Sequence, residues 1–193
     1  MLPDAPAIAR ALGGALRLAR FDADGLMYFD DDARAVVQSF FAAVIVAPGY
    51  AILITQHLGR LELTAGPLSA GLVEFLGYVI SWTAFPVLVH EFARVMERGE
   101  RWCGFVVALN WSKVVQMAVY LPATLLAAGL GGEGGPGAAS LLTVAALLAV
   151  LSYQWFVTRS ALNVTGIQAA GLTGMDVMLG LTITAMTDGA IAG

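Results

Sequence analysis

The chain has 193 residues, 59% of them hydrophobic and 12% charged, with a formal net charge of −4. Soluble domains run at about 45–50% apolar and about 25% charged, so a water-soluble core of this length could not hide the apolar surface, and an integral membrane protein is expected. The length points to one domain, the lack of alternating segments of about ten residues argues against an outer-membrane barrel, and the acids clustered near the N-terminus predict no nucleic-acid partner. The spanning elements are therefore helices, in an all-α polytopic membrane bundle.

At the N-terminus, "MLPDAPAIARALGG" carries Asp4 and lacks a basic-then-apolar order, so a cleaved signal peptide is not expected. No lipid anchor is expected either, because Gly does not follow Met1 and no Cys lies near the C-terminus. Over residues 6–20, at about 100° per residue, Arg10, Arg17 and Arg20 share one side and Ile8, Leu12, Leu16 and Ala19 the other. This predicts a short basic amphipathic helix lying in the membrane interface as an anchor, weakened by Gly13-Gly14. In "FDADGLMYFDDDARA", Asp22-x-Asp24-Gly25 resembles the opening of a calcium loop, but the remaining ligands are missing at their offsets. Asp31 or Asp32 is instead expected to cap the first span, near its positive dipole end, with the other acids in a solvated turn. Residues 1–33 thus read as a cytoplasmic segment ahead of a transmembrane domain over residues 34–193.

A helix needs about 20 apolar residues to cross the hydrocarbon core. Residues 35–55, 71–89 (continuing toward Met96), 104–130 and 138–157 meet this, and "GGEGGPG" at 131–137 reads as a loop. A fifth run, residues 167–187, is interrupted by Gly171, Gly174, Asp176 and Gly180, leaving a re-entrant segment as the alternative to five spans. Basic residues orient the bundle: Arg10, Arg17, Arg20, Arg34, Arg94, Arg98, Arg101 and Arg159 fall on one side and Arg60 alone on the other. The positive-inside rule then places the N-terminus in the cytoplasm and the C-terminus in the periplasm of a bacterial inner membrane.

The third span holds the chain's one lysine, Lys113. Asn110, Lys113, Gln116 and Tyr120 lie within about 120° of one helix face, and a polar stripe in a membrane packs against other helices. At about 1.5 Å rise per residue, the ammonium hangs roughly 10 Å from the cytoplasmic surface, a depth Asp176 shares, with Glu91, His90 and Gln154 nearby in the same half. The expected intramembrane polar network joins Lys113 to Asp176 or Glu91, supported by Asn110, Gln154, Gln116 and His90. Such contacts either fix packing, at about 0.6–2 kcal/mol each, or form a proton or substrate path. "HEFAR" at residues 90–94 lacks the second histidine of the zinc-protease motif, with Arg94 in its place, and no serine sits in a Gly-x-Ser-x-Gly setting. Cys103, alone in the chain, reads as a small buried hydrophobe. No metal, cofactor or catalytic residue is expected.

Two segments, "FDDDARAVVQSFFAAVIVAPGY" and "FVVALNWSKVVQMAVYLP", make the chain similar to small inner-membrane proteins of alphaproteobacteria. In layout, and over "YQWFVTRSALNVTGIQAAGLTGMDV" at residues 153–177, it resembles the Yip-type (Ypt-interacting) five-span family and its bacterial relatives. The Asp-Leu-Tyr-Gly-Pro signature of the eukaryotic members is absent, the corresponding region reading "YFDDDARA", so no functional residue and no GTPase-binding role carries over. With no catalytic constellation and small loops, the sequence points to an accessory or scaffold protein. Its partners would be the bilayer and a larger membrane complex or further copies of itself. A small transporter or proton-coupled permease using the Lys/Asp/Glu network is the alternative.

Overall fold

A computed structural model describes residues 2–133 and 135–192, and the described residues form helices without strands. The helices are α1 (Ala5–Ala19), α2 (Ala33–Ser39), α3 (Phe41–Leu58), α4 (Pro67–Val95), α5 (Trp102–Glu133), α6 (Gly135–Leu162) and α7 (Gly166–Ala192). Short 3-10 turns cover Ala23–Tyr28 and Gly99–Arg101. Five stretches are long and apolar enough to cross a membrane: Ala33–Leu58, which joins α2 and α3, then Pro67–Val95, Gly99–Leu130, Gly137–Leu162 and Gly166–Ala192. This is a multi-pass membrane protein.

Local chemistry sets the helix ends. Asp32 Oδ1 accepts from Ala35 N at 2.7 Å, so Asp32, not Asp31, caps the first span. Thr165 and Gln168 open α7 as a capping box: Gln168 Oε1 accepts from Thr165 N at 2.9 Å while Thr165 Oγ1 accepts from Gln168 N at 3.3 Å. α7 runs unbroken from Gly166 to Ala192 and is long and apolar enough for a full crossing. A side-chain carbon built at Gly171, Gly174 or Gly180 would meet nothing within 4 Å, and the helix passes through all three without a break. Within the expected loop at 131–137, the described residues 131–133 and 135–137 are helical. α5 runs to Glu133 and α6 begins at Gly135, with Gly134 outside the described residues; the two antiparallel helices pair extensively along their length.

The bundle is centred on α5. Phe105 to Leu109, Asn110, Trp111 and Ser112 are all buried, enclosed by α1, α2, α4 and α6. The N-terminal segment, expected as an interfacial anchor, packs against the bundle. α1 forms over the expected residues, but Ala15 and Leu18 are fully buried against the same core, with Ala11 nearly so. Gly14, expected to weaken the helix, allows a close crossing: a Cβ there would lie 2.7 Å from Tyr28 Cβ and 2.8 Å from the Gly25 carbonyl oxygen. Arg10 pairs with Asp30 at 2.7 Å, and Arg17 pairs with Asp22 at 2.6 Å and Asp24 at 3.6 Å, while Arg20 stays exposed. Ala11, Ala15 and Leu18 thus face protein while Leu16 stays half exposed, and two of the three arginines are engaged by the acids that follow them.

Candidate functional site: two polar layers joined by an aromatic row

The buried stripe of α4 is Ala70, Glu74, Gly77, Trp82, Phe85, Pro86, Val89 and Ala93. His90 and Glu91 fall beside it. Glu91 lies 3.2 Å from His90 Nδ1 and accepts from Arg94 Nη1 at 3.1 Å, with its side chain 66% exposed, so neither joins Lys113. His90 rests edge-on against Trp102, ring centroids 5.1 Å apart. The expected reach of Glu91 into the membrane fails because its angle on α4 is wrong.

In the half of the bundle nearer α1, Gln154 Nε2 donates to Asp176 Oδ2 at 2.6 Å, tying α6 to α7. Asn110 Nδ2 donates to Ser39 Oγ at 2.9 Å, tying α5 to α2, and Asn110 Oδ1 has no donor. Tyr153 Oη donates to the Ala15 carbonyl at 2.7 Å and lies 3.0 Å from Ser112 Oγ, which fastens α1 to the layer. Gln116 Nε2 is buried and has no acceptor.

Lys113 takes a different place from the one expected. Its Nζ sits over the Trp82 ring, 4.7 Å from the centroid, a cation–π contact between α5 and α4. Among the described residues no carboxylate lies within 4.0 Å of it. Asp176 is the acid whose charge reaches Lys113, but it is hydrogen-bonded to Gln154. Lys113, Asp176, Gln154 and Asn110 therefore share one half of the bundle without closing into a single paired network.

A second layer lies in the half farther from α1. Tyr50 Oη donates to Glu74 Oε2 at 3.1 Å, and Glu74 is only 5% exposed. His57 Nε2 lies 2.9 and 3.1 Å from the two carboxylate oxygens of Asp188, tying α3 to α7. Sequence reasoning missed this layer. Its one available signal was Glu74 in "GLVEFLGYV", an acid three residues before Gly77 and four before Tyr78, hence on the same face as both.

An aromatic row connects the layers. Tyr50 and Tyr78 have ring centroids 4.6 Å apart, Tyr78 and Trp82 6.0 Å, and Trp82 carries Lys113 on its face. Tyr78 is held in place by its hydroxyl, which donates to the Ala43 carbonyl at 2.7 Å. Beyond the second layer, a cavity of about 570 Å³ opens between α3, α5 and α6, lined by His57, Gln56, Arg60, Tyr120 and Thr124 among others. Ionisable groups from α3, α4, α5 and α7 thus form two polar clusters, with the Tyr50–Tyr78–Trp82 row running from one to the other. Comparison with family models, with curated proteins and with solved structures finds no match to this chain.

Proposed function

We propose that the protein is a small membrane carrier, a proton- or cation-coupled permease, whose path runs through the interior lined by α3, α4, α5 and α7. One observation carries this reading: the Lys113 ammonium, deep in a span, rests on Trp82 with no carboxylate in ion-pair range. A polar clamp that served packing alone would close its charges and hydrogen bonds, because an uncompensated charge in the interior is strongly destabilising. Here Lys113 lacks an acid at contact, and Glu74 Oε1, Asn110 Oδ1 and Gln116 Nε2 have no partners. Groups held ready but not saturated suit a site that exchanges a charged or polar solute. The eight-to-one arginine asymmetry supports an orientation with the α1 end in the cytoplasm of a bacterial inner membrane.

The test is flux into proteoliposomes reporting internal pH, Na⁺ and K⁺, comparing wild type with Lys113→Met. Flux in the wild type that the variant loses, with the helical fold retained by circular dichroism, is the expected result. Equal flux in both, or none in either, sinks the carrier reading.

The accessory or scaffold reading keeps one observation of its own. The small-residue face of α7 at Gly171 and Gly174 is unfilled within the chain, and a groove of about 610 Å³ lined by Phe21, Leu151, Trp155, Ala170, Gly174 and Val177 runs beside it. Close approach of another helix is what such a face permits. Mild-detergent purification with a constant stoichiometric partner, and no flux, would favour that role.

A further inference from the structure

Glu74 is the most deeply buried acid described in the chain. Its Oε2 has the Tyr50 hydroxyl, but its Oε1 is enclosed with no donor, and no Lys, Arg or His among the described residues comes within 4.0 Å of the carboxylate. A carboxylate oxygen in a dry interior, with a lone pair facing no hydrogen, is chemically a position for a positive charge.

The surroundings extend that position into a site. α4 and α7 touch at Gly77, where a Cβ would come within 2.7 Å of Thr187 Cγ2, so Asp188 is held close to the turn that carries Glu74. Asp188 in turn faces His57, which lines the cavity open to the far end of the bundle. The titratable groups around Glu74 are Tyr50 and His57 from α3, Tyr78 from α4 and Asp188 from α7; α5 adds Lys113 only at the other end of the aromatic row. Two carboxylates, Glu74 and Asp188, face one histidine here, while Arg60, the cation on the wall of the outer cavity, has no ion pair to either acid among the described residues. A hard divalent ion is a poor fit, since calcium wants six to eight oxygens and Tyr50 and His57 already occupy lone pairs of both acids.

We propose that Glu74, backed by Tyr50 and the His57–Asp188 pair, binds one monovalent cation, a proton or an alkali-metal ion, entering through the cavity that His57 lines. The inference deepens the carrier reading, on which the ion's role as the coupled or transported species rests. The site itself can be tested without transport.

The experiment is infrared spectroscopy of the full chain, purified in mild detergent at neutral pH, on wild type, Glu74→Gln and Tyr50→Phe. A protonated-carboxyl C=O band in the wild type, lost in Glu74→Gln and moved to higher frequency in Tyr50→Phe by loss of the phenol's hydrogen bond, supports the site. If NaCl or KCl removes that band while choline chloride does not, an alkali ion is the competing occupant. If all three salts leave it in place, the occupant is the proton. A wild-type spectrum with no Glu74-dependent band and no response specific to Na⁺ or K⁺ overturns the inference. Tyr50→Phe keeps the acid and the ring, so a failure of Glu74→Gln to fold does not remove the test. A Glu74-dependent band in a protein without flux would sink the carrier reading and keep the site. Lys113-dependent flux with no Glu74-dependent signal would do the reverse.

Discussion

At the scale of single residues, the bundle uses polar side chains in two ways. Gln154 and Asp176 form a closed contact at 2.6 Å between neighbouring helices, with Gln154 only 5% exposed. Removing the donor leaves a carboxylate with nothing in its place, and interhelical hydrogen bonds in membranes are worth about 0.6 kcal/mol on average and up to about 1.7. Gln154→Leu is therefore expected to lower stability by about 1–2 kcal/mol, read as an earlier midpoint in an SDS unfolding titration. A midpoint equal to wild type would mean that Asp176 finds another donor. Lys113 belongs to the other kind. That it lies within a long apolar helix and turns toward a neighbouring one was legible from the sequence, because a lone cation in an apolar run stands out. Its partner was not, because depth alone cannot distinguish an acid on the correct face from one beside it: Glu91 lies one residue past His90 and two past the buried Val89, and that rotation puts it on the surface. Tyr50 and Trp82 escaped notice for a simpler reason. An aromatic ring counts as apolar in a hydropathy scan even when its hydroxyl or its π face is the functional part.

At the scale of elements, α1 shows an amphipathic pattern whose apolar residues pack on protein. The 3.6-residue period separates Arg10, Arg17 and Arg20 from the apolar side, but the same period serves a lipid surface and a protein surface equally. What decided the outcome is the pair Gly14 and Gly25, which lets the turn after α1 fold back onto it, and the acids at 22, 24 and 30, which then meet the arginines. Gly14→Ala forces a carbon against the Tyr28 side chain and the Gly25 carbonyl, and overpacking of this kind costs about 1–3 kcal/mol. The expected result is faster amide exchange across α1 and its turn, with the spanning helices unchanged; unaltered exchange would show that the turn yields at no cost. Acid should loosen the same region. The hydrogen bond from Arg17 holds the Asp22 carboxyl below its ordinary value, so the contact contributes stability above the ordinary carboxylate range, and that contribution fades as the pH falls through the lowered value.

At the scale of the whole molecule, the number of spans was readable and their arrangement was not, for one physical cause. In a bilayer, lipid-facing and protein-facing positions are both apolar, so Leu68, Leu72 and Phe75 on the outside of α4 look like Phe85 and Val89 on its inside. Nothing in such a pattern says that α5 is central or that α4 leans on α7. The proposed orientation rests on a different signal, the arginines that flank the spans, which is independent of packing. Arg94, Arg98, Arg101 and Arg159 gather at the α1 end, while Arg60 stands alone at the other. With Cys103 replaced by Ser, single cysteines at Arg60 and Arg101 then make the two ends separately addressable. A membrane-impermeant maleimide added to intact bacterial cells is expected to label Arg60→Cys directly and Arg101→Cys only after lysis. That result would place the cavity lined by His57 on the outer side, giving a cation entering at Glu74 a path from outside toward the aromatic row. The reverse labelling would invert the path, and the Glu74 site would then face the cytoplasm while the Lys113 layer met the outside.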